Sequence, residues 1–561
     1  MKKSVAVLAA LLAGVMLLPA QGVTAQEEGK QHRYVVLYAR SASVESARAA
    51  IKRAGGTIVK ENTAIGVATV KAGNRGFAAS AASDSALAGA AQDRTIGRAR
   101  PRLRLKSDIE RLDAGLAEGS PGSSAGQAGS DPLSHFQWDM RMLDATPQGS
   151  YSRQQGEPGV TVGIIDTGIE GSHPDIAANF NKRLSRNFTH DIPLVDGPCA
   201  EDPDGSCRDP NDVDESGHGT HVAGTVASPI NNRGIAGVAP KVTLVNLRAG
   251  QDSGYFFLQP SVDALTYAGD HGIDVVNMSY FIDPWLFNCR NNDADSPAEQ
   301  REQRTIIRAT QRALDYAYGH GVTLVSALGN EATNLGHPKV DFISPDFPPG
   351  EEKERRISNS CLTMPTEGRH VVGVSALGPS GRKSWYSNWG LEQTDVSAPG
   401  GDSFDAPEPR GRILAPYPQV ALEAEGLLDP DGTPNDPAVV RECRRGDCYY
   451  YRWLQGTSMA SPHAVGVAAL IVSEFGHREA SQDGLGLAPR RVVRRLKVTA
   501  TDHACPPGRV QRYPELEPFE DVLGPSQAYT AYCAGSRERN GFYGDGIVNA
   551  LKAVTHNSSG Q

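Results

Sequence analysis

The sequence predicts an α/β fold: a mostly parallel central sheet with helices on both faces, three layers in all, preceded by a small α+β unit. Three observations predict it. Apolar, β-branched runs recur between residues 131 and 561, as expected for strands buried on both faces. Segments with helical apolar spacing lie between them, and that alternation builds a parallel sheet covered by helices. Two of the runs end in chemically capable residues, Asp166-Thr167-Gly168 and Gly329-Asn330. They sit at the strand C-termini, where ligands gather in open α/β sheets.

Each element has its own signal. Residues 1–25 read as a secretory signal peptide: Lys2 and Lys3, an apolar stretch over 5–18, then small residues at Val23-Thr24-Ala25. Residues 26–80 read as a compact unit, with strands at 34–38 and 65–70. Between them lies a helix over 44–54, spaced by Val44, Ala47, Ala50, Ile51 and Ala54 and ended by Gly55-Gly56. Residues 81–130 read as a poorly structured, flexible connector. It carries a basic patch (Arg94, Arg98, Arg100, Arg102, Arg104, Lys106) and a Gly/Ser-rich stretch over 119–126, the kind of segment that proteases cut. The main domain, 131–561, has strands expected at 160–165, 242–247, 275–278, 322–327 and 371–376. Ile306, Ala309, Ala313, Leu314 and Ala317 mark one buried helical face. A Gly/Ala-rich apolar helix follows Ser458 over 464–471. Long polar stretches at 191–216, 283–304, 333–367 and 402–451 are expected as ordered surface excursions around a cleft.

Composition narrows the function. A formal net charge of −9 argues against a general nucleic-acid binder, and 6% aromatic residues offer no stacking platform for single strands. After the signal, no segment is expected to span a bilayer. Export to an extracellular location makes disulfides the expected state of the eight cysteines. Sequence proximity favours Cys199 with Cys207 and Cys443 with Cys448. The other four are expected to pair as Cys289 with Cys361 and Cys505 with Cys533, although sequence alone does not fix connectivity. The spacings lack the repeated Cys-x-x-Cys element of a zinc site.

Chemistry concentrates in four motifs. Ser458 lies in Gly456-Thr457-Ser458-Met459-Ala460-Ser461-Pro462, between a tight turn and a helix start. A serine hydroxyl is a poor nucleophile until a base takes its proton. A base is available in His218-Gly219-Thr220-His221-Val222-Ala223-Gly224, and an orienting acid in Asp166 at the tip of its strand. His218 and His221, three apart on a helix, lack the intervening glutamate of a zincin. The order Asp, His, Ser and these local sequences resemble the subtilisin-like serine peptidases, the subtilases. The resemblance runs from about residue 131, where Phe136-Gln137-Trp138-Asp139-Met140 is similar to a mature subtilase start, to about 554, after the closing stretch Phe542-Tyr543-Gly544-Asp545-Gly546-Ile547-Val548-Asn549-Ala550.

The resemblance implies a secreted serine endopeptidase. Ser458 is the expected nucleophile, His218 the general base and acid, Asp166 its orienting partner and Asn330 the oxyanion donor. Ser279, Tyr280, Ala327 and Gly329 are the expected substrate-binding positions. In the family a glycine-rich stretch pairs with the substrate backbone. Here Asn277-Met278-Ser279-Tyr280-Phe281-Ile282 stands in its place, and such bulk is expected to narrow the wall and restrict specificity. Residues 26–80 match an inhibitor-like prosegment that acts as a transient inhibitor. Expected partners are protein or peptide substrates, with no nucleic acid and no membrane. No cofactor is required for the chemistry. The family leaves a structural calcium open, but Asp202, Asp204, Asp209, Asp212 and Asp214 show no ligand spacing and read as a solvated acidic loop. The rival reading is a secreted binding or scaffold protein on a degenerate peptidase fold.

Overall fold

The structure is a computed structural model in which residues 32–73, 76–93, 109–111, 131–200, 205–406, 409–478, 484–523 and 525–556 are described. The signal segment and the Gly/Ser-rich part of the connector lie outside these residues.

The first unit is a four-stranded antiparallel sheet with two helices. Its elements are β1 (His32–Tyr38), α1 (Val44–Arg53), β2 (Gly56–Asn62), β3 (Val67–Ala72), α2 (Phe77–Ala82) and β4 (Leu87–Asp93), with strand order β2-β3-β1-β4. Period-2 alternation in β1 sends Tyr34, Val36 and Tyr38 to the unit's own core, where they meet Ala47, Ile51 and Phe77. Val35 and Leu37 point the other way and join the helical layer of the main domain. Ser43 caps α1 by accepting from the Ser46 N–H at 3.2 Å, and Gly55, at φ +86°, ends it. Two strands differ from expectation. β2 is a polar edge strand with no clean alternation. β4 (Leu-Ala-Gly-Ala-Ala-Gln-Asp) lies in the stretch expected as connector; it lacks β-branched residues and becomes a strand by pairing with β1.

The main domain is built on a seven-stranded parallel sheet. Its strands are β5 (Thr161–Ile165), β6 (Arg186–Asn187), β7 (Thr243–Arg248), β8 (Val275–Met278), β9 (Thr323–Ala327), β10 (Val371–Leu377) and β11 (Val396–Pro399), in the order β11-β10-β9-β8-β5-β7-β6. The five expected strands lie within a residue or so of their observed bounds. Helices α3 (His218–Ala227) and α6 (Thr457–Phe475) cover one face, while α4 (Leu258–Asp270) and α5 (Pro297–Gly319) cover the other. The chain is therefore the three-layer α/β architecture that the alternation predicts. The Gly/Ala content of α6 follows from close packing: a Cβ at Gly466 would sit 2.5 Å from Val238 Cβ. Helix α5 begins inside a stretch expected as loop. Ser296 and Glu299 form a reciprocal capping box there, with Pro297 at the first turn.

The described residues of the excursions are ordered. Residues 402–451 contribute most of an antiparallel sheet of β12 (Ile413–Tyr417), β13 (Val439–Arg444) and β14 (Asp447–Leu454), in the order β12-β14-β13. The β13–β14 turn has Arg445 at φ +55° and Gly446 at φ +96°, the left-handed pair that a tight two-residue hairpin requires. Disulfides join Cys199–Cys207, Cys289–Cys361, Cys443–Cys448 and Cys505–Cys533, the pairs favoured by the sequence, and leave no cysteine free.

Candidate active site

Asp166 follows the last residue of β5 at the C-terminal edge of the sheet and is fully buried. Its backbone carbonyl accepts from the Ala249 and Gly250 N–H groups, both at 3.0 Å, which anchors the strand tip. Its side chain reaches the first residue of α3: His218 Nδ1 lies 2.6 Å from Asp166 Oδ1. Asp214 fixes this approach. It accepts from Thr167 Oγ1 (3.0 Å), the Gly217 N–H (3.0 Å) and Thr220 Oγ1 (2.6 Å), tying the strand end to the helix start.

Ser458 is the second residue of α6 and is 5% exposed. Ser279 Oγ donates to the Ser458 carbonyl at 3.1 Å and accepts from Asn277 Nδ2 at 3.0 Å, while Ser461 Oγ donates to Asn277 Oδ1 at 2.7 Å. This chain of bonds ties β8 to the turn that carries Ser458. Asn330, three residues beyond β9, has its orientation set by Thr457, whose N–H and Oγ1 donate to Asn330 Oδ1 at 2.9 and 2.8 Å. That engagement turns Asn330 Nδ2 toward the serine side of the pocket. Gly329, at φ +102°, donates its N–H to Thr457 Oγ1 at 3.0 Å and makes the bend that brings Asn330 round.

The groups converge on a residue that sequence reading passed over. Glu110 Oε1 accepts from Ser458 Oγ at 2.7 Å and from Asn330 Nδ2 at 3.3 Å, and Glu110 Oε2 lies 3.5 Å from His218 Nε2. Burial works against a charged imidazole, and the Asp166 and Glu110 carboxylates outweigh it, so the His218 proton is held well above the usual histidine range. No motif marks Glu110, which lies in a polar connector without periodicity.

The other candidate positions divide. Ser279 and Gly329 position Ser458 and Asn330 as described. The Ala327 carbonyl accepts from Thr366 Oγ1 at 2.8 Å. Tyr280 is turned inward and stacks on Phe256 with ring centroids 4.3 Å apart. Phe281 and Ile282 are also buried, Phe281 beside the Cys289–Cys361 bridge. The expected narrowing of the wall by bulk is thus corrected: these side chains fill the wall's interior instead of the cleft. The acidic loop is corrected as well. Asp214 and Asp209 are buried, Asp209 ion-paired with the buried Arg248, while Asp212 pairs with Lys182 at 2.5 Å. Asp202 and Asp204 lie outside the described residues. His221 Nε2 faces the Ile413 and Arg452 carbonyls at 3.2 and 3.1 Å, and His463 faces Asp139 at 3.0 Å; neither belongs to a metal cluster among the described residues.

The model of the subtilase family matches residues 157–516. The chain belongs to the subtilase family. It is 28% identical over 347 residues to subtilisin DY of Bacillus licheniformis, covering 61% of this chain and 84% of that protein. It is 25% identical over 352 residues to the nisin leader peptide-processing serine protease NisP of Lactococcus lactis subsp. lactis, covering 62% of this chain and 45% of that protein. The fold is similar to that of the epidermin leader peptide processing serine protease EpiP from Staphylococcus aureus. The TM-score is 0.59 at 19% identity, over 95% of this chain and all of that one. This subtilase is a serine-type endopeptidase, and the chemistry of its family needs no cofactor.

Proposed function

We propose that this subtilase cleaves peptide bonds through an acyl-enzyme on Ser458. Ser458 Oγ attacks the scissile carbonyl carbon while its proton passes to His218 Nε2. Asp166 holds the imidazole by Nδ1 and stabilises its positive charge. Asn330 Nδ2 donates to the oxygen that becomes negative. Collapse breaks the C–N bond, and His218 returns the proton to the leaving amine. Water then enters by the same route and releases the acid. One observation carries this reading: Ser458, His218 and Asn330 all reach a single carboxyl group, so they border one reaction-sized space. A fluorophosphonate probe tests it. Labelling of the mature protein that disappears in Ser458→Ala supports the assignment; a folded mature protein that never labels returns the chain to the scaffold reading.

The 32–93 unit supports a prosegment role for residues 26–80 and their extension. It docks on α4 and α5 through Lys60–Asp263 (2.6 Å), Asn62 Nδ2 to Thr266 Oγ1 (3.0 Å) and Arg312 to the Tyr38 carbonyl (2.9 Å). Gly89 lets β4 approach α5, because a Cβ there would lie 2.5 Å from Thr305 Oγ1. The four disulfides and the amino-terminal apolar segment favour a secreted, extracellular enzyme acting on proteins or peptides. For a structural calcium, the grouped carboxylates among the described residues are Asp191, Asp209 and Asp252. Arg248 already pairs with all three. An ion there would have to displace a buried guanidinium, so the group fits an internal ion-pair cluster better than a calcium cage.

A further inference from the structure

Glu110 is held in the site by more than its carboxyl group. The Gln455 N–H donates to the Glu110 carbonyl at 3.2 Å, and Gln455 Nε2 donates to the Ile109 carbonyl at 2.9 Å. Arg111 then pairs with Glu425 at 3.2 Å and donates to Tyr417 Oη at 3.5 Å. Glu110 is only 8% exposed, and a Cβ on Gly456 would come within 3.1–3.4 Å of its Oε1, Cγ and Cδ. Ile109 and Glu110 are thus seated against the turn that carries Ser458, and Arg111 is held beside them by Glu425 and Tyr417.

The carboxyl group takes every position the reaction needs. Oε1 accepts from Ser458 Oγ, which must reach the carbonyl carbon, and from Asn330 Nδ2, which would meet the tetrahedral oxygen, while Oε2 lies against the imidazole nitrogen that should receive the serine proton. A carboxylate cannot be consumed there, since attack by Ser458 would have to expel oxide or hydroxide. We propose that Glu110 is an internal latch, an uncleavable side-chain carboxylate that keeps the unprocessed chain latent by occupying the nucleophile and oxyanion positions together. The latch rests on the assignment of Ser458 as nucleophile and differs from simple covering of the cleft by the 32–93 unit. That unit docks on the far helices through its own contacts, whereas the chemical block is made by one carboxyl group.

The test is the rate at which a small fluorophosphonate labels the intact, uncleaved chain, followed by intact mass. Glu110→Ala should label about tenfold faster or more than the parent, the scale of a charge-assisted hydrogen bond. Glu110→Gln keeps the shape without the charge and should fall between them. Matching melting temperatures would show that the variants remain folded. Equal rates in the uncleaved parent and both variants, with the processed enzyme labelling at Ser458, would overturn the latch and leave the catalytic assignment standing. Absence of Ser458 labelling in every species, processed or not, would remove both.

Discussion

The side-chain oxygen of Asn330 is claimed twice by Thr457, through its backbone N–H and its hydroxyl. Without those bonds the amide could rotate and present its oxygen, an acceptor, to a developing negative charge. Thr457→Val removes the hydroxyl bond and keeps the backbone bond. Turnover should fall several-fold with KM little changed, because the donor is needed only when charge develops. Asn330→Ala should cost more, and the scale measured for such a donor in subtilisin itself is about a hundred- to a thousand-fold. Steady-state kinetics on a peptide amide checks both; a fall confined to KM would remove Asn330 from the reaction.

Latency should depend on pH in a defined direction. The groups facing His218 are Asp166 from the end of β5, Glu110 from the seated segment and His221 on its own helix. Its proton is held above the usual range by the two carboxylates, so the contact with Glu110 is strongest while His218 is charged and weakens as pH rises through the raised value. Probe labelling of the uncleaved chain should therefore climb from neutral toward alkaline pH. In Glu110→Gln the rise should move to lower pH. An unchanged profile in that variant would show that Glu110 does not set the proton affinity of His218.

Arg355 is completely buried and pairs with two completely buried acids, Asp295 at 3.0 Å and Asp341 at 2.9 Å. Its guanidinium also lies 4.7 Å from the ring centre of Trp285. Arg355→Met leaves Asp341 without its cation and Asp295 with Lys353 alone, at 3.2 Å, a change that costs about 3–5 kcal/mol. Thermal unfolding should show a large fall in midpoint. The double change with Asp341→Asn should recover part of it, and no recovery would mean that packing, not charge, holds the excursion.

Two other acids make stability depend on pH. Burial pushes the Asp131 carboxyl up to about 6 and that of Asp175 up to about 7, against hydrogen bonds from the Asn231 and Asn232 N–H groups to Asp131 and from the Ile235 N–H to Asp175. Each therefore holds its proton more tightly folded than unfolded. Their contribution to stability is greatest on the acid side and is lost as pH rises toward 7. The melting midpoint of the processed enzyme should fall between about pH 4 and 7 on their account, and Asp175→Asn should flatten that slope.

Much of the architecture is legible because buried parallel strands are written as short runs of apolar and small residues without charges. Val-Gly-Ile-Ile before Asp166 and Leu-Val-Ser-Ala before Leu328 fix both strand and edge. The Asp166, His218 and Ser458 motifs were readable since each combines a reactive side chain with small neighbours. Glu110 was not, because its place is set by partners hundreds of residues away and by no local pattern. Strand β4 was hidden by alanines that pair only because β1 lies beside them. The wall at Tyr280 misled because residue size says nothing of direction: its ring turns toward Phe256 and away from the cleft. The start of α5 was within reach, since Ser296-Pro297-Ala298-Glu299 spells its cap.

His221 sits one helical turn beyond His218 and clasps both β12 and β14 through their carbonyls, and burial lowers its pKa to about 3, so it does so as a neutral ring. The sheet of residues 413–454 is therefore tied to the helix that carries His218. Any change that displaces this ribbon pulls at the anchor of that helix from outside the crevice.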